Sequence, residues 1–296
     1  MKRIYLDFEK TSLDQEEQEF LSAFIRDMQS EGFEMQHTGA VPMPEIQAMG
    51  TVSLHGTEDV TVAICDDPKR LQAFKERGIP VIGYEAGTGK HLDAKWILLS
   101  LEGADADYVK KVYCRTKGLP LTILETERTL IREICMEDMD ALFRVYEGEH
   151  ITDYLEPLYD RPVEEAYERN YIEKIYGFYD YGMWVVFDKA TGELIGRAGV
   201  ESRGAYESAS CAEKDRWMYA PDTVEFGFVI REDHQHLGYG TEVGRAILSY
   251  TKNVLHKRVV FAKSHPANTA AHKALRSIGF REHGSIGDDR IFIIYI

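Results

Sequence analysis

Six residues, Gln235-His236-Leu237-Gly238-Tyr239-Gly240, stand between a run that reads as a strand, Thr223–Ile230, and one that reads as a helix. The helix is read from Val243, Ala246, Ile247, Tyr250 and Val254, which share one face at helical spacing. A helix N-terminus carries unpaired N–H groups and the positive end of the helix dipole. A glycine-bearing loop placed there can hold phosphate without many basic side chains. Gly238 and Gly240 admit backbone angles and a close approach that a Cβ would block. Taken alone, two spaced glycines fit a tight strand-to-helix turn equally well.

Other candidates are weaker. Asp66-Asp67-Pro68 ends a strand in the place where α/β proteins bind ligands. Those acids suit magnesium, but a turn and a helix cap explain them without a metal. Gly87-Thr88-Gly89-Lys90 hints at a P-loop, yet the first glycine of that motif falls at Tyr84 and His91 replaces Ser/Thr, so the motif is rejected. Cys65, Cys114, Cys135 and Cys211 are widely spaced, without CxxC or zinc spacing. They read as free thiols of a reducing compartment, and no metal site is expected.

These residues need elements to position them. Phe20, Leu21, Phe24, Ile25 and Met28 follow helical spacing up to Gly32. Val60-Thr61-Val62-Ala63-Ile64-Cys65 reads as a buried strand, the Leu71/Phe74 face as a helix closed by Gly78, and Ile79-Pro80-Val81-Ile82-Gly83-Tyr84 as the next strand. Strand, helix, strand at this spacing predicts a βαβ unit and a parallel sheet. Residues 94–101 add a strand, and 105–117 a helix closed by Gly118 and Pro120. Then come a strand at Thr129-Leu130-Ile131-Arg132-Glu133 and helices over 136–146 and 162–175. A hairpin follows, built from Met183-Trp184-Val185-Val186-Phe187 and Leu194-Ile195-Gly196-Arg197-Ala198-Gly199-Val200. Beyond the glycine loop and its helix, Val259-Val260-Phe261-Ala262 is a strand. Asn268 opens a helix with Ala271, Ala274, Leu275 and Ile278 on one face, Gly279 caps it, and Ile291-Phe292-Ile293-Ile294-Tyr295-Ile296 is a final strand.

The chain has 296 residues, 44% of them hydrophobic, enough for two domains with ordinary cores. Its net charge of −15, without a dense basic run, disfavours nucleic acid and attracts cationic amines. The longest apolar runs are too short to span a bilayer. The N-terminus lacks the apolar core of a signal peptide, so a soluble, cytoplasmic protein is expected.

The order of these motifs resembles the GNAT superfamily of acetyl-CoA-dependent N-acetyltransferases. The family pattern Gln/Arg-x-x-Gly-x-Gly/Ala is met by Gln235, Gly238 and Gly240, and the downstream helix opened by Asn and ended by Gly-Phe by Asn268, Gly279 and Phe280. The resemblance covers residues 128–296. The Arg132 strand, the hairpin and Glu225-Phe226-Gly227-Phe228-Val229-Ile230 are similar to the branch that acetylates ribosomal-protein N-termini and to its small-molecule relatives. The implied class is α/β: residues 1–125 as a small parallel-sheet α/β accessory domain, residues 126–296 as a GNAT α+β fold with a mixed, centrally splayed sheet. A short stretch, Gly78-Ile79-Pro80-Val81-Ile82-Gly83-Tyr84, resembles the later part of haloacid-dehalogenase-like domains. The nucleophile motif of that family is missing, since Asp7-Phe8-Glu9 carries Glu as its second acid.

The GNAT resemblance implies a site. Amides of Gln235, His236, Leu237, Gly238, Tyr239, Gly240 and Thr241 hold the CoA pyrophosphate. The backbone of Phe228, Val229 and Ile230 pairs with the pantetheine arm, and Asn268, a natural N-cap, also contacts that arm. The amine attacks the thioester directly in a ternary complex, without metal or covalent intermediate. Glu225 is either the base that takes the amine proton or a strand carboxylate satisfied by a neighbouring Arg or backbone donor. The family's Tyr acid, seven residues after the Asn, is replaced by Leu275, which leaves Tyr239, His265, water or an unassisted thiolate. His234 and His236 read as solvated flanks of the loop. Tyr154, Tyr159, Trp184 and Glu201 are candidates for the acceptor pocket, with core or rim packing as the alternative for each. The implied acceptor is a small-molecule amine or a protein N-terminus, with no nucleic-acid or membrane partner and a homodimer left open. The competing reading is a non-catalytic acyl-CoA-binding sensor with the first domain as regulatory or interaction module.

Overall fold

The computed structural model describes residues 2–8, 13–37, 60–86, 89, 91–203 and 213–296. Cys211, Glu9, and Gly87, Thr88 and Lys90 of the rejected P-loop lie outside the described residues. The chain divides into two compact units, Met1–Leu119 and Pro120–Ile296.

The first unit holds a parallel sheet of five strands: β1 (Lys2–Asp7), β2 (Phe33–His37), β3 (Thr61–Cys65), β4 (Val81–Tyr84) and β5 (Trp96–Leu98), in the order β2-β1-β3-β4-β5. Among the described residues three helices accompany it, α1 (Gln15–Ser30), α2 (Pro68–Glu76) and α3 (Ala106–Lys117). Leu71 and Phe74 of α2 pack on Tyr5, Ala63, Cys65 and Val81 of the sheet. β3 and β4 are nearly continuous apolar runs, as strands covered on both faces tend to be. In β1 and β2, charged and polar residues interrupt the pattern, which is why the sequence does not announce them.

The order is the doubly wound one, with its switch point between β1 and β3. Asp7 and Asp66-Asp67 fall at that end of the sheet, but they are already engaged. Asp7 is buried and accepts from Arg70 Nε and Cys65 Sγ, while Asp67 caps α2 by accepting from the Lys69 and Arg70 amides at 2.9 Å. Among the described residues no group of three His, Cys, Asp or Glu is placed to hold a metal. None of the described helices is long and apolar enough to cross a membrane.

The second unit is an eight-stranded sheet in the order β12-β13-β11-β10-β9-β8-β7-β6. Its strands are β6 (Thr122–Glu125), β7 (Thr129–Arg132), β8 (Met183–Asp188), β9 (Leu194–Glu201), β10 (Thr223–Ile230), β11 (Val259–Ser264), β12 (Arg281–Ile286) and β13 (Asp289–Tyr295). Among the described strands only β10 and β11 run parallel, so the sheet is mixed. Because Thr122–Glu125 pairs with β7, these residues belong to the second sheet, and the boundary lies at 119/120 instead of 125/126. The second strand of the C-terminal hairpin was legible; its partner β12, Arg-Glu-His-Gly-Ser-Ile and mostly exposed, has no apolar alternation to read.

The helices of this unit are α4 (Met139–Tyr146), α5 (Arg161–Asn170), the single turn α6 (Gly177–Tyr179), α7 (Tyr239–Asn253) and α8 (Thr269–Ile278). The expected helix over 162–175 is α5 continued as a π-helix at Tyr171–Tyr176. The wider turn has a visible cause. It aims two tyrosine hydroxyls at one strand end: Tyr171 Oη accepts from the Met183 amide at 2.7 Å, and Tyr176 Oη donates to the Met183 carbonyl at 2.5 Å. Such turns are frequent at functional sites.

Candidate functional site

The centre of the second sheet opens. β10 pairs with β9 from Glu225↔Glu201 to Ile230↔Gly196, but with β11 only at Thr223↔Val259, Val224↔Val260 and Glu225↔Phe261. Beyond Glu225 the two parallel strands part. Peptide groups along a strand alternate in direction. The Arg231 amide donates to Ile195 O of β9 at 2.8 Å, while Asp222 O accepts from the Val259 amide at 3.1 Å. By that alternation Phe228 and Ile230 turn their peptide groups into the gap, whereas Val229 turns its own toward β9. Of the three residues expected to meet a pantetheine arm through their backbone, two are so directed. Val229 is corrected by the ladder itself.

The loop follows at the mouth of the gap. Gln235 Nε2 donates to Ile230 O at 3.0 Å, so this side chain ties the loop to the strand end. His236 is left-handed at φ 59°, and Gly238 follows at φ 87° as the N-cap of α7. A glycine cap has no side chain to occupy the first-turn amides, which therefore remain for an anion. Gly240 sits close against Phe228: a Cβ there would lie 3.3 Å from the ring, which would have to give by a few tenths of an ångström. The two glycines thus have different tasks, one conformational and one steric. Asn268 caps α8 by accepting from the Ala271 amide at 3.0 Å. Thr241 bonds Ser277 of α8 through its hydroxyl at 2.9 Å, which leaves only its amide for a phosphate.

One cation at this loop was not foreseen. Arg128 donates to Leu237 O at 3.0 Å, pairs with Glu242 at 2.6 Å, and lies over the Tyr239 ring at 4.3 Å. Burial works against the Glu242 carboxylate, but hydrogen bonds from Thr126 and Arg128 hold its pKa below the ordinary range. No local pattern marks Arg128, since its role arises from a contact 109 residues away in sequence.

The hydroxyl of Tyr239 is committed to Asp188, which raises the Tyr239 pKa and lowers that of Asp188. This removes Tyr239 from the candidate acids. His234 is not solvated as expected: it pairs with Asp233 at 2.6 Å and packs on Tyr239. His236 and Leu237 are exposed, and His265 stacks on Tyr154 with centroids 5.2 Å apart. Leu275 is buried in the core, so no acid stands at that position.

Glu225 sits where the strands part, with its side chain 26% exposed. Burial raises its pKa; Lys263 at 3.4 Å and Arg203 at 3.6 Å oppose that, and Glu201 adds to it. Both cations form ion pairs with the carboxylate, so the alternative of a strand carboxylate satisfied by neighbouring cations also finds its partners here. Glu201, its cross-strand partner, projects from the same face. It accepts from Tyr171 Oη and lines a cavity of about 320 Å³ with Tyr167, Tyr179 and Tyr181. Of the other pocket candidates, Trp184 is fully buried in the core, while Tyr154 and Tyr159 are exposed, Tyr159 reaching Tyr167 at 6.2 Å. α5 is fixed behind this cavity by Glu168, which receives Arg197 of β9 in a buried pair at 2.5 Å.

A sheet splayed between parallel strands, with a glycine loop and a helix N-terminus at its mouth, is an arrangement suited to an anionic group carried on an extended arm. The acetyltransferase (GNAT) domain family matches residues 128–281, and the chain belongs to that family. It is similar to the uncharacterized N-acetyltransferase YoaA of Bacillus subtilis, 26% identical over 165 residues, which are 55% of this chain and 84% of that protein. It is also similar to the uncharacterized N-acetyltransferase p20 of Bacillus licheniformis, 26% identical over 168 residues, 56% of this chain and 85% of the relative. Among solved structures, a GNAT-family acetyltransferase from Bacillus anthracis shares 20% identity at a TM-score of 0.46, covering 59% of this chain and 98% of its own. The family makes the chain an N-acetyltransferase. The haloacid-dehalogenase-like expectation for the first unit gains no support.

Proposed function

We propose that the second unit transfers the acetyl group of acetyl-CoA to a primary amine by direct attack in a ternary complex, with Glu225 as the proton acceptor. The observation that carries this reading is the position of Glu225: the last residue of β10 still paired with β11, at the point where the gap begins. The amides of Gly238, Tyr239, Gly240 and Thr241 bind the pyrophosphate, aided by the Arg128 guanidinium. The peptide groups of Phe228 and Ile230 bind the pantetheine arm. An alkylamine is an ammonium at neutral pH and has no lone pair until a base removes a proton. Glu225 accepts that proton, directly or through water. The nitrogen then forms its bond to the acetyl carbon as the carbon–sulfur bond breaks, and it gives up its second proton to solvent. The thiolate leaves and is protonated by solvent, since Leu275 supplies no acid.

Thiol release from acetyl-CoA in the presence of an amine panel tests this. Turnover is expected in the wild type, and Glu225→Gln lowers kcat by about 10²-fold or more with the acetyl-CoA dissociation constant preserved. Tight acetyl-CoA binding with no turnover of any amine favours the sensor reading instead.

A further inference from the structure

We propose that the acceptor is a small primary monoamine with a flat aromatic body, its ring held among the tyrosines of the 320 Å³ cavity and its ammonium by Glu201. This rests on the N-acetyltransfer reading above and names the substrate class of the same site.

Four observations converge. First, the cavity walls are aromatic: Tyr167, Tyr171, Tyr179 and Tyr181 line it, with Ile175 between them. Tyrosine faces bind apolar rings and attract cations. Second, Glu201 is the one carboxylate among the described residues that line it. A monocation is matched by one charge; a polyamine would bring further ammonium groups into a cavity that offers them no second carboxylate and is also lined by Lys174. Third, the aromatic wall runs out to the surface. Tyr159 at 58% exposure, Tyr167 at 46% and buried Tyr171 form a chain of ring contacts at 6.2 and 6.1 Å that ends on Glu201. Fourth, Glu201 and Glu225 are cross-strand partners on one face, so an amine anchored by the first is delivered to the second. Recognition and proton acceptance then belong to adjacent carboxylates. The volume lies at the lower end of ligand pockets, about 300–1,000 Å³, which suits a single ring and a short alkylamine better than a polypeptide terminus.

The test uses the full chain saturated with CoA and titrated calorimetrically with 2-phenylethylamine, spermidine and an Ala-initiated tripeptide. Acetyl-CoA turnover of the same three amines is measured in parallel. The expected result is binding of 2-phenylethylamine at least about tenfold tighter than spermidine or the peptide, with the same order in kcat/KM. Glu201→Gln keeps an acceptor for Tyr171 Oη but removes the charge, and is expected to weaken phenylethylamine binding about tenfold with CoA affinity unchanged. Tyr167→Leu, at a half-exposed site that tolerates change, weakens it as well. Absence of phenylethylamine binding, tighter binding of spermidine or the peptide, or an unaltered affinity in both variants overturns the inference. If spermidine or the peptide is the preferred acetyl acceptor, this inference fails while N-acetyltransfer stands. If acetyl-CoA itself does not bind, the wider reading fails with it.

Discussion

Glu225 and Arg128 illustrate two kinds of residue at one site. Glu225 was legible because it lies in a continuous strand that runs into the glycine loop, so its position relative to the loop is fixed by local sequence. Its pKa is raised mainly by burial, so the proton is lost only above the usual glutamate range. A base must be deprotonated to act, and the acid limb of the kcat/KM profile is therefore expected above that range, falling as pH drops. The limb should disappear in Glu225→Gln, as a pH–rate series would show. Arg128 was not legible, because its meaning comes from Leu237 and Glu242 folding onto it. Loss of its charge in Arg128→Gln is expected to raise the acetyl-CoA dissociation constant about tenfold, the scale of one charge-assisted hydrogen bond. Calorimetry checks this, and an unchanged constant would show that Arg128 serves the loop's shape alone.

At the scale of elements, the sheet gap and the π-helix place what the residues use. Strand and helix types in the second unit were visible from apolar periodicity, since most elements bury one face. The π-turn at Tyr171–Tyr176 was not visible, because it is set by two tyrosine hydroxyls meeting Met183 across the fold. Behind it the buried Arg197–Glu168 pair joins β9 to α5. Glu168→Leu strands a buried guanidinium and is expected to cost about 3–5 kcal/mol in urea unfolding. The double variant Glu168→Leu/Arg197→Met should recover much of it. The Tyr239–Asp188 bond ties α7 to the end of β8. Because the folded state lowers the Asp188 pKa, the bond's contribution is present above the ordinary aspartate range and lost as pH falls through the lowered value. In Tyr239→Phe the fall of stability with acid should be shallower, as denaturant titrations at several pH values would show.

At the scale of the molecule, all the site residues named here fall within Pro120–Ile296, as does the family match. A fragment of residues 120–296 is therefore expected to fold and to bind acetyl-CoA with an affinity close to that of the full chain; a fragment that binds only with the first unit present would contradict this. The two-unit division and the parallel character of the first sheet were legible from the βαβ spacing of Val60–Tyr84 residues. The strand order β2-β1-β3-β4-β5 was not, since β1 has only a short apolar run, Ile4-Tyr5-Leu6, between charged residues, and β2 alternates with polar ones. The central claim concerns the opened strands of the second unit. It is tested most directly by thiol release from acetyl-CoA in wild type and Glu225→Gln, with the acetylated amine identified by mass spectrometry. The account predicts one CoA thiol per acetylated amine in the wild type and a drop of about 10²-fold or more in kcat in the variant, with acetyl-CoA still bound. Equal turnover by both proteins would contradict it.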